Sequence, residues 1–227
     1  MSNVGFIASF FSGRMRKSLG SVIKLSAADE EVRNRAKTDT QYRRLISNIA
    51  HISGGQPYSI AITSALSGEG VTTITANLAI TLARSIDKNV VLVDLNLINP
   101  KVHESFNVGD KPGVKQIVEE NFDLSLAVQS SNISNLKIIA SGGKTEHSAK
   151  ILSSEKIKKL IEDLKNDFSY IIIDCSSILA SMDATFITPF VDGTLIVVRS
   201  NITPRNEVID AMERINRDTT IGVILNG

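Results

Sequence analysis

From residue 58 to the end of the chain, short apolar runs alternate with longer amphipathic stretches. The runs "YSIAIT" (58–63), "NVVLVDL" (89–95), "LKIIAS" (136–141), "YIIIDC" (170–175), "GTLIVV" (193–198) and "GVILN" (222–226) have strand length and no polar alternation. Such runs predict strands buried on both faces of a parallel sheet. Between them, Ile74, Leu78 and Leu82 share one helical face, as do Ile157, Leu160, Ile161 and Leu164, and as do Val208, Met212 and Ile215. Thr203 and Pro204 read as an N-cap and a first-turn proline for the last of these helices. Strand–helix alternation with right-handed crossovers predicts an α/β fold, a mostly parallel sheet covered by helices on both faces.

The pattern before residue 58 is different. Residues 28–51 read as one or two polar helices, acidic at the start and basic later, a polarity that suits the helix dipole. Ser53–Pro57 punctuates the chain. The expected division is therefore a segment at 1–27, a helical lead-in at 28–55 and the α/β domain at 56–227. In the first segment Arg14, Arg16, Lys17 and Lys24 are the charged side chains, and Phe6, Ile7, Phe10, Phe11, Leu19, Val22 and Ile23 recur at helical spacing. The positive charge follows the apolar run, which is the reverse of a signal peptide. Residues 1–24 are thus a candidate for peripheral membrane contact as a basic amphipathic helix. The competing reading is a flexible leader, favoured by Gly5, Gly13 and Gly20.

Composition narrows the function classes. With 227 residues, 42% of them hydrophobic, a large core can form. A net charge of +1 gives no electrostatic case for nucleic acid. One cysteine, Cys175, forbids an internal disulfide framework and fits a reducing compartment. No apolar run approaches the roughly 18 residues of a membrane span.

The chemistry gathers at the ends of three strands. Ser64 to Thr73, "SALSGEGVTT", follows the first strand and opens a helix, with Gly68 and Gly70 to form a tight turn. Such a turn aims consecutive backbone N–H groups at phosphates, reinforced by the helix dipole. Thr72 falls where a hydroxyl would ligate magnesium, but Val71 stands where such a loop places its lysine. Asp94 and Asp174 end two other strands, so all three features emerge at the carboxyl edge of the sheet, where open α/β sheets bind ligands. A carboxylate there can hold magnesium or orient an attacking group.

The segments "SALSGEGVTTITANLAITLA", "VVLVDLNLINPKVHESF", "YIIIDCSS" and "DGTLIVVRSNIT" resemble the cytoplasmic domain of bacterial tyrosine kinases. Those kinases belong with the MinD/ParA-type P-loop ATPases and act in capsule and exopolysaccharide export. The likeness runs from about residue 38 to 227. It implies a P-loop NTPase fold of the MinD/ParA type that binds ATP or ADP with magnesium. By resemblance, Ser67, Gly68, Glu69, Gly70, Val71, Thr72 and Thr73 form the Walker A loop. Asp94 is the first aspartate of Walker A′, and Asp174 is that of Walker B. These two would be catalytic in an active member and would hold magnesium together with Thr72. Asn226 is placed like an asparagine that meets the adenine. Asp183 matches an aspartate that commonly follows Walker B, an N-cap being an equally good reading.

Departures from the family pattern fall on the chemistry. Val71 removes the phosphate-neutralising lysine, and no basic residue within the loop replaces it. Hydrogen bonds to charged groups contribute about 1.5–3 kcal/mol, and about 1.4 kcal/mol is tenfold. ATP binding is therefore expected to weaken by about one to two orders of magnitude, and transfer by more. Asn96 replaces the second Walker A′ aspartate, and Ile98 and Asn99 replace the basic pair that usually follows. Asn96 can accept a hydrogen bond but cannot act as a base. Cys175, at a strand end, reads as inert packing.

Thr40, Arg43 and Ile46 stand at the positions of a glutamate and two arginines on the family's oligomerisation helix, which leaves a family-type ring in doubt and a homo-oligomer as a candidate only. The family's substrate is a tyrosine cluster in a C-terminal tail. This chain reaches Gly227 with only Tyr42, Tyr58 and Tyr170. The expectation is a degenerate member of this family, acting as a regulatory or binding subunit. It would dock to a membrane-bound polysaccharide chain-length regulator, in the cytoplasm at the inner face of the cell membrane. The alternatives are an active ATP-dependent tyrosine autokinase and a MinD/ParA-like positioning ATPase.

Overall fold

The computed structural model describes residues 23–25, 33–86 and 88–227. Its strands are β1 (Ile23–Leu25), β2 (Tyr58–Ser64), β3 (Val90–Asp94), β4 (Gln129–Ser130), β5 (Leu136–Ile139), β6 (Tyr170–Asp174), β7 (Gly193–Arg199) and β8 (Thr220–Asn226). They form one sheet in the order β1-β8-β7-β2-β6-β3-β5-β4. Every pairing is parallel except that of β4 with β5. The helices are α1 (Arg33–Ser53), α2 (Val71–Ser85), α3 (Val102–Phe106), α4 (Val114–Glu120), α5 (Leu124–Ala127), α6 (Ser148–Leu152), α7 (Glu155–Asp167), α8 (Asp183–Ile187) and α9 (Arg205–Arg214).

Successive side chains of a strand point to opposite faces. Along β6, Ile171 and Ile173 enter one core with the apolar stripes of α7 and α9. Tyr170 and Ile172 enter the other, with α1 and α2. Both faces are covered, which is the physical reason these runs lack polar alternation. The helical faces read from the sequence are buried as expected: Ile74, Leu78 and Leu82 on α2, and Ile157, Leu160, Ile161 and Leu164 on α7. On α1, Tyr42, Leu45, Ile46 and Ile49 recur at i, i+3, i+4 and i+7, and all four are buried in the α2-side core.

The structure differs from the sequence pattern at several places. Ile23–Leu25, read above as the end of a helical segment, pairs as a strand with β8 through Ile23↔Ile224. The other residues of the proposed membrane-contact segment lie outside those described. The two-residue β4 and the short helices α3 to α5 went unread, being too brief for either period to register. Pro204 occupies the N-cap of α9 and not its first turn, while the Thr203 hydroxyl turns toward Glu69. Among the described residues no helix is long and apolar enough to cross a membrane.

The strand order places the ends of β2, β6 and β3 side by side. The loop after β2 and the loop after β3 therefore flank the end of β6.

Candidate functional site

The turn after β2 forms as a phosphate loop should. Gly68 and Gly70 adopt φ of +82° and +88°, the left-handed region that glycine enters without steric cost. Gly70 caps α2, and the Ile74 amide closes the first helical bond onto its carbonyl at 3.0 Å. A Cβ at Gly70 would come within 2.5 Å of Asn226 Nδ2, so close approach as well as backbone angle requires glycine there.

Glu69 explains what holds the turn. Its side chain is buried behind the loop, where one carboxylate oxygen accepts the Leu66 amide at 2.9 Å. The other accepts the Arg199 amide at 3.2 Å and the Thr203 hydroxyl. The Asn226 side-chain amide donates to the Glu69 carbonyl at 2.8 Å. Glu69 and Asn226 thus clamp the loop to the ends of β7 and β8. Neither is among the residues lining the adjoining cavity, and the contact Asn226 makes here is this brace on the loop.

That cavity has a volume of about 310 Å³, at the lower end of small-molecule sites. Ser67, Gly68, Gly70, Val71, Thr72 and Thr73 line it from the loop side, together with Ser64. Cys175, Ser176, Ser177, Ala180 and Ser181 line it from the segment after β6. Asn96, Ile98, Asn99 and Lys101 line it from the segment after β3. Ser67 and Ser177 hydroxyls meet across it at 2.9 Å. Val71 also packs against the α2-side core, so the loop has an apolar anchor where a cation would stand.

Asp94 and Asp174 are register partners on β3 and β6 and are fully buried beneath the floor of the cavity. The Thr72 hydroxyl donates to Asp174 Oδ2 at 2.7 Å, while Asp174 Oδ1 is buried with no hydrogen-bond partner. Burial and then the charge of Asp174 push Asp94 up to about 8, against the pull of the Val102, Asn96 and Lys101 amides. Burial pushes Asp174 up to about 7, against the Thr72 and Thr75 hydroxyls. Two buried carboxylates on paired strands cannot both ionise cheaply, so both are pushed toward the protonated form.

An orphaned carboxylate oxygen beside a threonine hydroxyl is a hard-oxygen donor set that fits magnesium. Thr72 and Asp174 are the residues that would hold it, and the ion would supply positive charge against phosphate oxygens. Asp94 fits that role less well. Its Oδ1 accepts the Asn96 amide at 3.0 Å, and its Oδ2 accepts the Lys101 and Val102 amides at 3.2 and 3.1 Å. Its visible work is to fix the segment 96–102 against the cavity.

Asp183 is neither an N-cap nor at the cavity. Met182 holds the N-cap position of α8, and Asp183 is buried with Oδ1 accepting the Ser148 hydroxyl at 3.0 Å, tying α8 to α6. Cys175 is 1% exposed and burial pushes its thiol up, which keeps it protonated and inert. The chain's three tyrosines, Tyr42, Tyr58 and Tyr170, are all buried. Sequence reasoning missed Lys101, because it looked for a replacement cation only within the loop. The signal available was its position just after Pro100, at the start of a helix and seven residues beyond Asp94.

Comparison with known proteins agrees with this geometry. A family described as "AAA domain" matches residues 58–217. The tyrosine-protein kinase YwqD of Bacillus subtilis is 33% identical, covering 82% of this chain and 80% of its own length. The tyrosine-protein kinase CpsD of Streptococcus agalactiae is 31% identical over 89% of each. The succinoglycan biosynthesis transport protein ExoP of Rhizobium meliloti is 29% identical over 77% of this chain but only 23% of its own length. In fold, the kinase domain of the Escherichia coli tyrosine kinase ETK superposes with a TM-score of 0.78 at 23% identity, covering 84% of this chain and 75% of that one. The septum site-determining protein MinD of Pyrococcus horikoshii, solved with Mg-ADP, superposes at 0.66 with 24% identity, covering 75% and 70%. The chain belongs to the AAA-domain family of P-loop proteins and, within it, is a bacterial tyrosine-kinase-like domain of MinD-like fold.

Proposed function

We propose that this chain is a catalytically degenerate member of its family, a regulatory or binding subunit of exopolysaccharide or capsule biosynthesis that retains a weak site for ATP or ADP with magnesium. The observation that carries the reading is Val71, standing at the start of α2 in a loop that is otherwise fully formed. The scaffold of phosphate recognition is kept, and the charge that phosphoryl transfer depends on is removed from it.

Two further observations support the reading. Asn96 leaves the segment after β3 without a second carboxylate. The tyrosines offer no accessible hydroxyl for self-modification: Tyr42 is 4%, Tyr58 9% and Tyr170 6% exposed. The name of ExoP, which speaks of succinoglycan transport, supports a polysaccharide pathway. The proposed partner is a membrane-bound chain-length regulator, which would place the chain at the inner face of the membrane.

The test is genetic. Deleting the gene in the source cell should alter the length distribution of its surface polysaccharide, and the restored wild-type chain should recover it while carrying no phosphotyrosine. Phosphotyrosine on the restored chain that depends on its own nucleotide site would contradict a non-catalytic role. An active kinase is the second reading, and the buried acid pair with its bare Asp174 oxygen favours it.

A further inference from the structure

Among the described residues lining the cavity, Lys101 is the one that carries a charge. The remainder are hydroxyl, amide, thiol or apolar side chains, and Asp94 and Asp174 lie beneath the floor. The loop after β2 and the segment after β3 face one another across the end of β6. Lys101 therefore enters the cavity from the wall opposite the position that Val71 vacates. Its backbone is fixed, since the Lys101 amide donates to the buried Asp94 carboxylate at 3.2 Å and the next amide does the same. Its side chain is exposed, on a four-carbon stem that lets the ammonium adjust to a ligand.

We propose that Lys101 is the phosphate-binding cation of this site, replacing from the opposite wall the lysine missing at Val71, and that it makes the cavity competent for a nucleoside di- or triphosphate. This rests on the reading of the cavity as a nucleotide site and assigns the charge that keeps it in use. The loop contributes backbone N–H groups and the α2 dipole, Thr72 and Asp174 accommodate magnesium, and Lys101 neutralises phosphate from across the cavity. The arrangement separates binding from transfer. Lys101 enters from a different wall, so it supplies charge for holding phosphates without restoring the loop-centred geometry of the missing lysine.

The test is calorimetric titration of the purified full chain with Mg-ADP and Mg-ATP, using wild type, Lys101→Met, Lys101→Arg, Val71→Lys and the double variant Val71→Lys/Lys101→Met. Thermal melts confirm folding, which the exposed position of Lys101 should preserve. The proposal expects Lys101→Met to weaken binding at least tenfold and Lys101→Arg to stay within about threefold of wild type. It also expects the double variant to recover affinity. Wild-type affinity in Lys101→Met overturns it and leaves the nucleotide site standing. So does binding by Val71→Lys where the wild type shows none. No binding by any variant at millimolar nucleotide overturns both this proposal and the nucleotide site itself.

Discussion

Asp174 shows how one residue can cost stability for the sake of a site. Its folded-state value, and that of Asp94, lie above the ordinary carboxylate range of about 3.9. A group raised on folding contributes stability that is full below its unfolded value and is lost as pH rises through the folded one. The chain should therefore become less stable between about pH 4 and pH 8. Asp174→Asn removes the like-charge repulsion and should raise stability at pH 8, in magnesium-free buffer, by about 1–3 kcal/mol. For a chain of this size that is a melting shift of several degrees. Melts of both proteins at pH 5 and pH 8 check it, and an unchanged difference between the two pH values would contradict the raised carboxyl pair.

Glu69 is the opposite case, a carboxylate whose acceptor capacity is used. Glu69→Ala removes the acceptor of the Leu66 amide and of the Thr203 hydroxyl at once, and leaves the Arg199 amide with the Thr203 hydroxyl oxygen alone. The expected loss is about 2–4 kcal/mol in denaturant unfolding, with weaker nucleotide binding because the loop loosens. The sequence marked Glu69 as part of a phosphate loop but could not say that its side chain turns away from the ligand. That direction is set by partners 130 and more residues later in the chain.

At the scale of elements, α1 decides how the domain is finished. Its Tyr42, Leu45, Ile46 and Ile49 stripe seals the outer face of α2, and Tyr42, pushed up to about 12 by burial, stays a neutral phenol. Ile46 stands where the resemblance implies an arginine, and in this chain the position is 5% exposed. Restoring the family residue as Ile46→Arg buries an unpaired cation and should destabilise the α1–α2 packing by about 3 kcal/mol or more. Limited proteolysis should then release residues 33–53 from a still folded sheet. Protection equal to that of wild type would mean that α1 can rotate to expose the position.

The strands β2, β3, β5, β6, β7 and β8 were legible as unbroken apolar runs, and α1, α2, α7 and α9 because each is long enough to repeat the helical period. The strands β1 and β4, of three and two residues, and the helices α3 to α6, none longer than seven, carry too little pattern. The loss mattered at α3. The segment leading into it carries Lys101 to the cavity, and only the sheet order β2-β6-β3 reveals that the two loops face each other.

For the whole molecule, a family scaffold is kept while residues at its cavity depart from the family pattern. The sheet has the MinD-like fold, and the left-handed glycines of the loop and the Thr72–Asp174 contact are formed on it. On the proposed reading, Val71 and Asn96 take from that scaffold the charge that transfer to tyrosine would use, and the three tyrosines of the chain are buried. The measurement that reaches this claim most directly is phosphoryl transfer itself. Purified full chain, incubated with Mg-ATP labelled on the terminal phosphate and a synthetic copolymer of glutamate and tyrosine, should yield no phosphotyrosine on either. Label that appears on tyrosine in the wild type and disappears in Asp174→Asn would contradict the account and make the chain a working kinase.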